Sequence, residues 1–177
     1  MANRTSSPRA LGIGIVAGLR SFTAPAAVSL AANNGRLSLR SFPLDLLSFE
    51  HASTGTRKLA LGELVADKTP LAPSRLKPPA LLWRLASGAA CGAALFDSDD
   101  GHLSTGAILG AAGALVGSLL GYGWRTRVRE RLHLPDLPAA LLEDALALGL
   151  AVALVSCPLR SGAHDAWADV DNPAWLP

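Results

Sequence analysis

The sequence predicts an all-α, integral membrane helical bundle of about four to five transmembrane helices, one of them short or re-entrant. Three observations predict it. Half of the 177 residues are hydrophobic and only 17% are charged, with mean hydropathy +0.31, whereas soluble domains carry about 25% charged residues. The apolar residues are gathered in long runs separated by prolines and charged connections. Glycines recur along those runs at helical spacing, which weakens a helix in water but lets helix backbones touch in lipid.

Residues 10–32 form the first apolar segment. It is long enough to span, with Arg20 near its middle and Pro25 placed to bend it. Gly14 and Gly18 make a small-xxx-small face. Arg4 and Arg9 ahead of the run resemble a signal peptide, but Arg20 follows the run directly and apolar sequence resumes to Ala32, so we expect a retained helix. A polar connection over 33–56 follows, with a short interfacial helix over Leu44–Phe49. Residues 57–69 (RKLALGELVADKT) read as a helix of only about 20 Å, too short for a hydrocarbon core of about 30 Å. Glu63 and Asp67 share one face of it.

Residues 79–96 begin with proline at the first turn, carry Arg84 one turn in and hold a Gly88…Gly92 pair. Residues 103–124 are the clearest span, free of charge. Here Gly106, Gly110, Gly113, Gly117 and Gly121 form one stripe. We expect it to pack against a neighbouring helix, and it also offers a face to a second copy. Residues 138–159 open with proline, hold Glu143 and Asp144 near the second turn and continue as an apolar run. The chain thus divides into a cytoplasmic tail over 1–9, one transmembrane domain over 10–159 and a polar tail over 160–177.

Seven ionisable residues carry the functional reading: Arg20, Glu63, Asp67, Lys68, Arg84, Glu143 and Asp144. A charge inside a membrane costs roughly 2.5–3.5 kcal/mol even on the lenient insertion scale, so each needs a partner or a wet pocket. The stretch Arg125–Arg131 has four arginines against one glutamate, and the 67–78 connection is basic, whereas residues 97–101 are acidic. The positive-inside rule then puts the N-terminus and the two basic loops in the cytoplasm, with the acidic turn and the C-terminus outside, over five crossings of the cell membrane. At the implied depths the charges form one ion-paired cluster, with Arg84 in reach of Glu143, Asp144 or an acid of residues 57–69.

Other classes find little support. Cys91 and Cys157 stand alone in apolar sequence and read as packing residues. The histidines have no ligand spacing, so no metal or cofactor is expected. The net charge of +2 argues against nucleic acid. No nucleotide-loop or hydrolase motif is present, and we expect no enzyme. The aspartates of DSDD read as solvated surface charge.

The strings GLRSFTAPA (18–26), GELVADKTP (62–70), PSR (73–75), PPALLWR (78–84) and LLEDALALG (141–149) resemble an uncharacterised bacterial membrane-protein family, domain of unknown function 4126. The resemblance implies a multi-pass membrane protein and implies no activity. A glycine-rich helix followed by an acidic one occurs twice, a short echo of the repeats from which transporters are built. Two functions are therefore expected to compete: a small transporter or channel-like protein for an ion or small polar solute, and a non-enzymatic scaffold or partner-binding subunit in the lipid bilayer.

Overall fold

A computed structural model describes residues 6–66, 78–127 and 136–156. They form six α-helices and no strand. These are α1 (Ser6–Leu19), α2 (Thr23–Asn33), α3 (Glu50–Ala66), α4 (Pro78–Ser98), α5 (Leu103–Arg127) and α6 (Asp136–Ser156), with a 3-10 helix over Leu44–Ser48. Two of them, Pro78–Ser98 and Leu103–Trp124, are long and apolar enough to cross a membrane. That is fewer than the sequence reading anticipated: the first apolar segment is two helices, and among the described residues α6 contributes the shorter apolar stretch Asp144–Ser156.

The first segment breaks at Arg20–Phe22, not at Pro25. The reason is local. Pro25 has no N–H to give the carbonyl of Ser21, four residues back, and its ring crowds that carbonyl. The helix ends before Ser21 and restarts with Pro25 in the first turn of α2, where its missing N–H costs nothing. α2 ends in a Schellman turn: Gly35, at φ +70°, donates to Ala32 O, and Arg36 N donates to Ala31 O. The chain therefore folds back on itself.

α4 ends in the same way. Asp100 takes the left-handed position at φ 53°, and Gly101 N donates to Phe96 O at 2.7 Å. This tight turn lays α5 antiparallel to α4. α3 starts at Glu50, earlier than the pattern suggested, with that acid in its first turn. Its 17 residues reach about 25 Å.

α1, α4 and α5 make the centre of the bundle, and glycine sets their spacing. A Cβ at Gly106 would meet Gly92 O at 2.5 Å and Phe96 Cβ at 2.8 Å, and one at Gly88 would meet Gly110 O at 2.6 Å. On the other side of α5, Cβ atoms at Gly113 and Gly117 would strike the carbonyls of Leu11 and Ile15 on α1. The stripe thus divides, with Gly106 and Gly110 against α4, and Gly110, Gly113 and Gly117 against α1. It is filled by helices of the same chain. Gly121, also buried, lines a groove described below.

The large side chains point the other way. Ile108, Leu115, Val116, Leu119 and Leu120 of α5 and Leu141, Leu142, Leu146, Leu148 and Val152 of α6 are exposed, while the buried faces of these two helices carry Gly, Ala, Ser and Asp144; the larger buried chains Ile13, Val16, Val28, Leu95 and Phe96 come from α1, α2 and α4.

The two ends of the bundle are chemically distinct. At one end Ser6 Oγ donates to Asp99, and Arg9 sits 3.7 Å from the same carboxylate. Asp97 accepts from Arg40 N at 2.7 Å and from Ser41 N at 3.0 Å, and Arg40 pairs with Asp100 at 2.9 Å. Asp97 is buried, so this part of DSDD is a tie for residues 38–41 rather than solvated charge. Arg9 Nε also reaches Leu154 O near the end of α6. The start of α1, the α4–α5 turn and the end of α6 therefore share one end. The sequence reading had put the N-terminus opposite that turn; the fold-back at Arg20 reverses it. α1 and α5 run parallel while α3 and α6 run opposite ways, so the sequence echo is not a structural repeat.

Candidate functional site

The break in the first segment frees backbone groups, and α3, α4 and α5 each send side chains to meet them. Arg20 N still closes the last turn of α1 on Val16 O at 2.8 Å. The carbonyls beyond that turn have no helical partner. From α4, Arg84 Nη1 donates to Gly18 O at 2.5 Å and to Leu19 O at 3.3 Å. Ser87, three residues on and so on the same face, donates to Ser21 O at 2.7 Å. From α5, Ser118 donates to Gly18 O at 3.3 Å. A guanidinium at the carbonyl end of α1 also matches the negative pole of that helix.

The amides are met from α3. Glu63 Oε1 accepts from Ser21 N at 2.8 Å and Oε2 from Phe22 N at 2.9 Å. A carboxylate thus sits at the N-terminal pole of α2, where negative charge is favoured. Arg20 reaches sideways, its Nη2 to Asp144 Oδ1 of α6 and its Nη1 to the backbone carbonyl of Glu63 at 3.4 Å.

Arg20, Arg84 and Asp144 are 1%, 5% and 4% exposed. The other oxygen of Asp144, Oδ2, is buried and accepts no hydrogen bond among the described residues. Arg84 lies six residues past Pro78, about 9 Å along α4. The site is therefore well inside the bundle and nearer the end at which α5 finishes. Phe22 stacks beside Trp83 there, with ring centroids 5.7 Å apart.

Of the seven charged residues singled out in the sequence, Arg20, Glu63, Arg84 and Asp144 come together. Asp144 is the partner of Arg20, the Glu63 carboxylate is turned to the backbone amides of Ser21 and Phe22, and Arg84 reaches the carbonyls of Gly18 and Leu19. The side chain of Glu143, and Asp67 and Lys68 altogether, lie outside the described residues. Ser21, Ser87 and Ser118 were not foreseen as site residues. The Arg84–Ser87 spacing on one helix face was the available signal for Ser87.

A model of the domain of unknown function DUF4126 matches residues 9–164 of the chain. The chain belongs to that family. No curated protein and no solved structure matches it. The match runs from the second turn of α1 past the end of α6, so the DUF4126 domain of this chain includes the break and the groups that close it.

Glu63→Gln is expected to open this joint. A glutamine amide would set its own N–H₂ against one of the two backbone donors. The loss should be about 1–3 kcal/mol of local stability. Hydrogen exchange at the Ser21 and Phe22 amides should quicken by roughly tenfold or more. Unchanged exchange across residues 17–25 would mean that Glu63 does not cap α2.

Proposed function

We propose that the chain is a multi-pass protein of the cell membrane whose α1–α2 break forms a site for an ion or small polar solute in transit. The observation that carries this is the break itself. Two half-helices present opposite poles to one buried point, where two arginines and two acids converge. Discontinuous helices of this kind in membrane proteins bind solutes and ions, with irregular backbone tolerated only where protein or a cavity covers it. The Oδ2 of Asp144, which accepts no hydrogen bond among the described residues, supplies a buried acceptor for a cation or a proton.

The membrane part rests on the inverted packing. Glycine, alanine and serine lie inside, and leucine and valine outside, over α5 and α6. A soluble chain rarely exposes so wide an apolar surface. Trp83, Tyr122 and Trp124 are exposed near the end where α5 finishes, as interfacial aromatics are. In this reading α1 and α2 enter and leave from one side, and α3, α4, α5 and α6 cross. The basic connections leave α3 and α5 at the other end, so that end is cytoplasmic.

Two measurements test this. With native cysteines replaced, Ser38→Cys and His102→Cys should both react with an impermeant maleimide from outside whole cells, and Arg127→Cys should not. Labelling of Ser38→Cys and His102→Cys from opposite faces would reject the fold-back. In proteoliposomes, flux of protons, sodium, potassium or chloride should appear and should fall at least tenfold in Asp144→Asn. Absence of flux for all four ions would favour the second reading, a membrane scaffold. That reading draws on the mutual satisfaction of Arg20, Glu63 and the freed backbone.

A further inference from the structure

Among the described residues, α5 and α6 have few direct contacts. Between them lies a groove of about 140 Å³, lined by Leu19, Leu120, Gly121, Trp124 and Leu146. Its floor is the last residue of α1. Gly121 is buried and has no side chain to fill it. The lining offers almost no polar surface, so water held there would find no partners, and a space of this size and lining takes an apolar guest. Leu120 and Leu146 at the rim are exposed, and Trp124 stands partly exposed beside them. One turn further along α5 is Arg127, exposed, with its guanidinium 3.5 Å from the Cβ position of Gly123. The sequence continues with Arg129 and Arg131.

We propose that this groove holds one acyl chain of an anionic phospholipid, with the headgroup phosphate at Arg127. An apolar slot with a cation one helical turn beyond its Trp124 matches the two halves of such a lipid, and basic pockets between helices on the cytoplasmic side recognise anionic headgroups. Charge favours a lipid over a second copy of the chain. A twofold dimer seated on this groove would bring Arg127 of the two copies together, like against like. The proposal rests on the membrane reading above but not on the solute site.

The test uses the full chain, purified in detergent and offered equimolar phosphatidylglycerol and phosphatidylcholine, with bound lipid read by native mass spectrometry. One phosphatidylglycerol should be retained in preference to phosphatidylcholine. Arg127→Gln, at an exposed position, should cut that preference about fivefold while leaving total bound lipid unchanged. Leu146→Trp, also exposed, fills the groove and should lower retention of both lipids. Equal retention of the two lipids by the unmodified chain would overturn the proposal. So would a preference that survives both substitutions, or a lipid-free dimer. A chain that stays soluble without detergent would reject the membrane reading itself; a detergent-dependent chain with no lipid preference rejects the groove alone.

Discussion

Gly110→Leu should leave almost no folded protein. Gly110 is the point at which α1, α4 and α5 meet. A Cβ there would run into the carbonyl of Gly88 and come within 3.1 Å of Gly92 Cα, and from the other side Gly14 lies against the carbonyl of Gly110 itself. All of these are backbone atoms of packed helices, which have no rotamer to change. Overpacking by a side chain against other side chains costs about 1–3 kcal/mol. Here the helix spacing must open, and the cost should reach at least about 3 kcal/mol, a large share of an ordinary stability of about 5–15 kcal/mol. Gly113→Leu and Gly117→Leu should act in the same direction through Leu11 and Ile15 of α1. Gly149→Ala is the counter-case. Its Cβ meets nothing within 4 Å, so it should be neutral or stabilise by up to about 1 kcal/mol through helix propensity. Monodisperse yield in detergent and the thermal midpoint read both effects. A normal yield and midpoint for Gly110→Leu would mean that the three helices do not meet there.

Arg20→Gln and Asp144→Asn should each destabilise by roughly 3–5 kcal/mol, because each leaves the other's buried group without its partner. Together they should lose less than the sum, by about 2 kcal/mol, as contacting members of one network do. Arg84→Gln should not be rescued by Asp144→Asn in this way, since Arg84 serves the carbonyls of Gly18 and Leu19. A double-mutant cycle followed by thermal unfolding separates these cases. Additive losses for Arg20 and Asp144, with strong coupling between Arg84 and Asp144, would restore the pairing anticipated from depth alone. If the double variant regains stability but carries no ion, the pair serves transport and not only the fold.

Much of the architecture was legible because it depends on local pattern. α4 and α6 are announced by prolines at or near their starts and α5 by its uncharged length, and α4 ends within two residues of the expected position. The glycine stripe was legible as a packing surface, since five glycines on one helix have few other uses in lipid. What it packs against was not, because spacing along α5 carries no information about its neighbours. The charged cluster was legible in membership for Arg20, Glu63, Arg84 and Asp144. Its wiring was not, because depth along a helix ignores rotation about the helix axis and ignores backbone groups as partners. DSDD was misread for a related reason: Asp97 is buried only once residues 38–41 fold across the α4–α5 turn.

The sequence by itself determined an all-α chain, its helix positions from α4 onward, its family and the residues able to bear charge in an apolar setting. These follow from composition, periodicity and proline placement, which act over a few residues. The tertiary structure alone decided that residues 10–32 fold back as two helices instead of running on as one. It also decided that the start of α1 joins the α4–α5 turn, and that Arg84 and Glu63 answer a broken backbone. The reason is that a freed carbonyl or amide within a dry bundle must be satisfied, and which side chain satisfies it depends on what the other helices bring within about 3 Å.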